Sequence, residues 1–271
     1  MNKKLWLLAF ALVASTRLWA ADLVLGVSEG TSGGLDHEQA LRKYQGLANV
    51  IGNALHRKVN VVFTREFALL EDGMKKHRYD FVMARPSDYP ARGITKYGYE
   101  YVATAKPEGQ CFVITRKDSG IHRLADLKGR KLVLPEPAAY MTKFCRAELR
   151  DQGIDVTRED VQYVREQGAV AFYIENHFAD AGAVASYSGL AKKWDRDGKV
   201  IYKSRPQPYF PLIASGEITE AQRADVQKAL LALPQTGPEV LRTVGIEGFD
   251  VDTEKRLRAL LDWLGPDPSS P

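Results

Sequence analysis

The chain has 271 residues, 45% of them hydrophobic and 27% charged, with 38 basic and 34 acidic side chains for a formal net charge of +4. These values exclude an unstructured chain, a collagen-like rod and a coiled coil. The length suits one large domain or two medium ones, each able to bury a core.

The first twenty residues read MNKKLWLLAFALVASTRLWA. Lys3 and Lys4 precede an apolar run over residues 5–15, the layout of an export signal. The run falls short of the roughly 20 apolar residues a membrane-spanning helix needs. Cleavage is expected after Ala20, or one residue later, and an uncleaved anchor is the alternative. No cysteine follows the run, so no lipid attachment is expected, and the mature protein should be soluble and periplasmic. Lys3, Lys4 and Arg17 lie in this segment, so removing three from 38 leaves 35 basic against 34 acidic side chains, or +1. A nearly neutral remainder without a block of five basic residues argues against nucleic acid as a partner.

Beyond residue 20 the pattern alternates strand and helix. Residues 23–27 form an apolar strand, followed by the Gly-rich run from Ser28 to Gly34. Asp36 and Gln39 have the spacing of a capping box. Leu41, Tyr44, Leu47, Ala48, Ile51 and Leu55 then keep helical spacing. Strands are predicted at 59–63, 80–84 and 99–105, with a helix at 67–77. This βαβ alternation implies parallel strands flanked by helices. Lys106-Pro107-Glu108-Gly109 punctuates the chain. A second unit then offers strands at 111–115, 131–134, 161–164 and 180–185, a short helix at 124–127, and helices at 139–152 and 168–178. Extended segments at 200–204 and 209–214 follow, and the remainder reads as helical. Thr219 with Gln222 caps a helix over 220–233, Pro238 suits a first helical turn, and a last helix over 253–264 ends at Gly265.

Cys111 and Cys145 are the only cysteines. An even count in an oxidising compartment favours one disulfide. Two buried thiols, or a soft-metal site, are the alternatives, because chain order does not bring the two residues together. The five histidines, His37, His56, His77, His122 and His177, show no metal-ligand spacing. There is no CxxC, nucleophile elbow, phosphate loop or dinucleotide fingerprint. No catalytic residue, metal or cofactor is expected, and the protein is expected not to be an enzyme.

Several runs do carry a resemblance. Residues 124–133, LADLKGRKLV, precede Glu136-Pro137 and a helix; residues 67–74 read FALLEDGM; residues 180–184 read DAGAV; and a strand ends in Arg85-Pro86-Ser87-Asp88-Tyr89. Together they resemble type II periplasmic solute-binding proteins, within the phosphate/phosphite/phosphonate-binding branch of ABC-transporter receptors. The resemblance implies an α/β protein of two lobes, each a mostly parallel sheet flanked by helices, with hinge strands between. Lobe 1 would take residues 21–107 and 200–271, and lobe 2 residues 108–199. A small ligand would lie in the cleft, with hinge closure around it. The strand pattern independently puts binding loops beyond the strands' carboxyl ends, at 28–34, 64–67, 85–89, 135–141, 165–168 and 185–187.

The departures from that family narrow the ligand. Its hydroxyl-rich run at a helix N-terminus is here Ala138-Ala139-Tyr140-Met141-Thr142, which leaves chiefly backbone amides. Its lobe 1 aromatic is Phe67, without a hydroxyl; a histidine of lobe 2 is replaced by Gln167; and the acid after DAGAV is replaced by Ala185. Arg85 stands where a guanidinium could take an oxyanion in bidentate fashion, or could pair with a structural acid such as Asp88 or Glu29. Glu29, Thr31 and Ser32 offer polar atoms in the first loop, or ordinary turn chemistry. Tyr89, Tyr140 and Tyr187 offer apolar walls with polar tips. The ligand-binding candidates are thus Glu29, Thr31, Ser32, Phe67, Arg85, Tyr89, Tyr140, Gln167 and Tyr187. The expected ligand is a small oxyanion, phosphonate-like anion or zwitterion. The expected protein is a monomer that serves an ABC permease or, alternatively, a membrane-bound sensor kinase or cyclase. An enzyme on the same fold is the third reading.

Overall fold

A computed structural model describes residues 21–29, 36–137 and 139–265. The expected export segment, Thr31 and Ser32 lie outside the described residues, and so does the side chain of Tyr140. Two sheets organise the chain. The first contains β1 (Leu23–Ser28), β2 (Val59–Phe63), β3 (Phe81–Ala84), β4 (Tyr99–Lys106), β10 (Pro211–Ser215) and β11 (Gly248–Asp250), in the order β11-β4-β10-β3-β1-β2. The second contains β5 (Cys111–Thr115), β6 (Lys131–Pro135), β7 (Asp160–Val164), β8 (Ala181–Ala185) and β9 (Lys199–Lys203), in the order β7-β6-β8-β5-β9.

The helices explain the parallel half of each sheet. In the first, α1 (His37–Leu55) joins β1 to β2 and α2 (Phe67–Lys75) joins β2 to β3. All three strands are parallel, because each crossover returns the chain to the same end. In the second, α4 (Tyr140–Asp151) and α5 (Gln167–Glu175) do the same for β6, β7 and β8. The remaining pairings are antiparallel: β10 with β3 and β4, β11 with β4, and β5 with β8 and β9. Each sheet is therefore mixed, where the sequence suggested mostly parallel ones. The cause is that β10 and β5 run into their sheets from the opposite end as the chain crosses between lobes.

That crossing also corrects one boundary. Residue 200 was expected to return to the first lobe, but β9 pairs with β5 through Lys203. The crossing is instead the segment 204–210, which meets the outgoing segment where Gly109 and Gln207 exchange backbone hydrogen bonds at 2.9 and 3.0 Å. Three further elements were not anticipated: α3 (Asp88–Lys96), α6 (Gly189–Asp197) and β11.

Local chemistry fixes the elements beside the cleft. Asp36 Oδ1 accepts from the Gln39 amide at 2.7 Å, and Gln39 Oε1 accepts from the Asp36 amide at 3.1 Å, so α1 starts on a complete capping box. Its inner face buries Ala40, Tyr44, Leu47, Ala48 and Ile51. Gly26 and Gly73 both face the Tyr79 ring, where a Cβ would come within 2.8 and 2.2 Å of ring atoms; only glycine lets that ring sit between β1 and α2.

One further tie lies within lobe 2 and another between the lobes. Cys111 of β5 and Cys145 of α4, both fully buried, are joined as a disulfide with Cα atoms 5.5 Å apart, inside lobe 2. The helices α7 (Glu220–Thr236), α8 (Pro238–Val244) and α9 (Glu254–Leu264) complete the chain, and α9 packs on α3 and α4. There Trp263 donates from Nε1 to Asp151 at 2.8 Å and packs edge-on against Phe144. By contrast, Trp194 of α6 is buried within lobe 2 and donates to the Thr115 carbonyl at 2.9 Å. Among the described residues no helix is long and apolar enough to cross a membrane.

Candidate functional site

The carboxyl ends of β1 and β3 lie side by side because the two strands are parallel neighbours, and the Arg85 amide donates to the Ser28 carbonyl at 3.0 Å. Register therefore puts Glu29 next to Arg85. The Arg85 Nη2 donates to Glu29 Oε2 at 2.8 Å and its Nε to the Glu29 carbonyl at 3.0 Å. Helix α1 supplies two more donors to the same carboxylate. Lys43 Nζ reaches Oε1 at 2.5 Å, and the Tyr44 hydroxyl makes a short hydrogen bond to the same oxygen.

Glu29 is only 2% exposed. Burial alone would raise its carboxyl pKa, but the Arg85 charge and the hydrogen bonds from Lys43 and Tyr44 outweigh that and hold it below its ordinary value. The same environment pushes the Tyr44 hydroxyl well above its ordinary value, first by burial and then by the Glu29 charge. Glu29 is thus ionised and Tyr44 neutral at neutral pH. Two cations surround one carboxylate, so the cluster carries a net single positive charge.

An aromatic wall covers the guanidinium. Its carbon lies 5.4 Å from the Tyr187 ring centroid, 5.3 Å from Tyr209 and 5.5 Å from Phe210, within cation–π range. Tyr187 follows β8 in lobe 2, while Tyr209 and Phe210 lead into β10, and Tyr187 stacks on Tyr209 at 3.7 Å between centroids. Burial raises the Tyr187 hydroxyl to about 12, an effect the Arg85 charge partly offsets. The wall therefore combines residues from both sides of the crossing.

A second group sits three residues further along. Phe67 stacks on Tyr89 at 5.0 Å, and Tyr89 is also flanked by the Arg92 guanidinium at 4.9 Å and the Lys143 ammonium at 5.8 Å. Asp88 Oδ2 accepts from Lys143 at 2.9 Å and from Arg92 at 3.5 Å. Lys143 belongs to α4, so this nearly buried ion pair links the two lobes. Asp88 is therefore not the partner of Arg85; Glu29 takes that place.

On lobe 2, Gln167 begins α5 and accepts from the Ala185 amide at 2.9 Å through Oε1. Its amide nitrogen, with two N–H donors, has no hydrogen-bond partner among the described residues. Thr142 is turned inward and donates to the Pro135 carbonyl at 2.7 Å. The structure thus brings Glu29, Arg85 and Tyr187 together and puts Phe67 with Tyr89 in a separate stack. Lys43, Tyr44, Tyr209 and Phe210 were not anticipated as site residues. Lys43 and Tyr44 follow Asp36 by about two helical turns, a spacing that could have directed them back toward the first loop.

The comparisons agree with this architecture. Residues 34–255 match the family described as ABC transporter, phosphonate, periplasmic substrate-binding protein. Among solved structures, XAC2383 from Xanthomonas citri bound to ATP is similar at a TM-score of 0.72 and 16% identity, over 90% of this chain and 97% of that one. PhnD1 from Prochlorococcus marinus in complex with methylphosphonate gives 0.67 and 11%, over 89% and 96%. A binding protein component of an ABC phosphonate transporter from Pseudomonas aeruginosa gives 0.61 and 15%, over 88% and 84%. At these identities the structures speak for the fold, while the family match covers most of the sequence. The chain belongs to the periplasmic phosphonate-type substrate-binding proteins of ABC transporters, whose role is to bind a small ligand.

Proposed function

We propose that the chain is exported by its first twenty residues and acts in the periplasm as a monomer, without catalysis. In this reading it captures a small singly or doubly charged oxyanion, phosphonate-like anion or zwitterion and delivers it to an ABC permease. The observation that carries the reading is the Glu29–Lys43–Arg85 cluster, where one carboxylate is outnumbered by two cations beneath an aromatic wall. Arg85 Nη1 has no hydrogen-bond partner among the described residues and is the donor offered to the ligand. Phe67 and Tyr89 form an apolar flank, and Gln167 and Tyr187 complete the site from lobe 2; Thr31, Ser32 and Tyr140 are candidates from the sequence alone. Closure about the crossing segments then removes the anion from water, which strengthens each charged contact.

The family's usual hydroxyl cradle is replaced by Ala138 and Ala139, so phosphonates need not be the preferred ligand. Single charge excess in the cluster favours a monoanion or a zwitterion with a net negative group. A thermal-shift panel of methylphosphonate, phosphite, sulfonates and small amino acids tests the reading, because a bound ligand raises the melting temperature by mass action. A dose-dependent rise that Arg85→Ala abolishes is expected. A wild-type protein whose melting temperature moves with none of these compounds overturns it.

A further inference from the structure

A cavity of about 900 Å³ lies between α3 and α9 on one side and α4 with the turn after it on the other. None of Glu29, Lys43, Arg85, Tyr187, Tyr209 and Phe210 lines it, while Asp88, Arg92 and Lys143 are shared with the group that flanks Tyr89. Six cations line it, Arg92, Lys96, Lys143, Arg146, Arg150 and Arg258, against the four acids Glu71, Asp88, Asp155 and Asp262. Four of the cations are paired: Lys143 with Asp88, Arg92 with Glu71 and Asp88, Arg150 with Asp151, and Arg258 with Glu254 and Glu100.

The other two are not. Arg146 is half-buried yet has no hydrogen bond, and no acid within 4.0 Å, among the described residues. Its charge is felt by Asp155, an exposed acid already paired with Arg158. Lys96, exposed on the α3 side, likewise has no acidic partner among the described residues. A guanidinium half withdrawn from water without an acceptor is costly unless something supplies one. Ala147, Val156 and Leu261 make part of the lining apolar.

We propose that this cavity is a second ligand site, for a small organic polyanion. Its anionic oxygens meet Arg146 and Lys96, and its body lies on the apolar wall. Because α3 and α9 belong to the first lobe and α4 to the second, an occupant spans both and holds them together. Free single oxyanions are too small to bridge such a volume, whereas tricarboxylates and sugar bisphosphates share the required chemistry.

Titration calorimetry at fixed ionic strength tests this with citrate and fructose 1,6-bisphosphate as probes and inorganic phosphate as the control. Wild type, Lys96→Ala/Arg146→Ala and Arg85→Ala are compared, each checked for an unchanged circular dichroism spectrum. Saturable binding of citrate or the bisphosphate is expected, weakened at least about tenfold in the double variant and within about twofold of wild type in Arg85→Ala. Preference for one probe separates a carboxylate occupant from a phosphate one. Absence of binding by wild type, or equal binding by the double variant, overturns the proposal. Loss in Arg85→Ala as large as in the double variant also overturns it, since the anion would then occupy the cleft. Methylphosphonate binding by the double variant reports separately on the cleft.

Discussion

The two sides of the cleft are secured by different chemistry. On the lobe 1 side, the loop after β1 is tied to β3 and α1 by buried charge: one carboxylate takes donors from Arg85, Lys43 and Tyr44. On the lobe 2 side, α4 is fixed to β5 by a covalent bond, Cys111–Cys145, and Gln167 at the start of α5 is held by the Ala185 amide. Charge gives direction and affinity for an anion but depends on pH; a disulfide gives rigidity that is indifferent to pH but depends on redox conditions. In the proposed reading, the lobe 1 half supplies the charge that selects an anion and the lobe 2 half supplies rigidity and neutral donors.

Four perturbations can break or sharpen that contrast. The largest effect is expected from Cys111→Ala/Cys145→Ala. The bond closes a loop of 34 residues, for which loop entropy gives about 3–4 kcal/mol of stability. Urea unfolding should show that loss with ligand affinity in the lobe 1 cluster little changed; an unaltered midpoint would mean that packing alone fixes α4. Next comes Glu29→Gln, which strands two cations. Complete burial would cost about 3–5 kcal/mol, and because Lys43 and Arg85 keep partial contact with water about 2–3 kcal/mol is expected. A double-mutant cycle with Arg85→Met measures the coupling, and additivity would contradict the cluster.

Arg85→Ala should weaken binding of the cleft anion by about 1.5–3 kcal/mol, the value of a charged hydrogen bond. An unchanged dissociation constant removes Arg85 from the site. The smallest effect is acid sensitivity. The Glu29 carboxyl is held below its ordinary value, so its stabilisation is complete above the unfolded value and fades as pH falls through the folded one. Stability should be level from neutral pH down to about 5 and fall below about 4. Glu29→Gln should remove part of that fall, and the disulfide variant should keep all of it. An acid limb identical in wild type and Glu29→Gln would assign the effect to other carboxylates.

Much of this was readable in the chain because the carriers are local. The capping box at Asp36, the β-branched run of β2 and the Pro135 stop of β6 each follow from neighbouring residues. Helix α3 was hidden by Pro90 and Gly93, which break the pattern even though Pro90 sits in the first turn, where no amide bond is lost. Helix α6 is a single nine-residue amphipathic segment and β11 has only three residues, both too short for periodicity to show. At the site, Glu29, Arg85 and Tyr187 were legible because they stand in the loops just after β1, β3 and β8. Tyr44 was legible only as part of the apolar spacing of α1 and Lys43 carried no signal, since the sequence does not say which helical face meets a carboxylate. Tyr209 and Phe210 joined the wall only through the antiparallel return of β10, a pairing between residues more than a hundred apart.

The placement of the indoles has a spectroscopic consequence. Trp194 lies wholly inside lobe 2, whereas Trp263 sits where α9 meets α4, with its N–H on Asp151 of the other lobe. If the lobes part, emission from Trp194 should therefore stay constant and emission from Trp263 should change. Once Trp194 is replaced by phenylalanine, a stopped-flow trace of the single remaining emitter beyond residue 20 would time the approach and parting of the lobes without any attached dye.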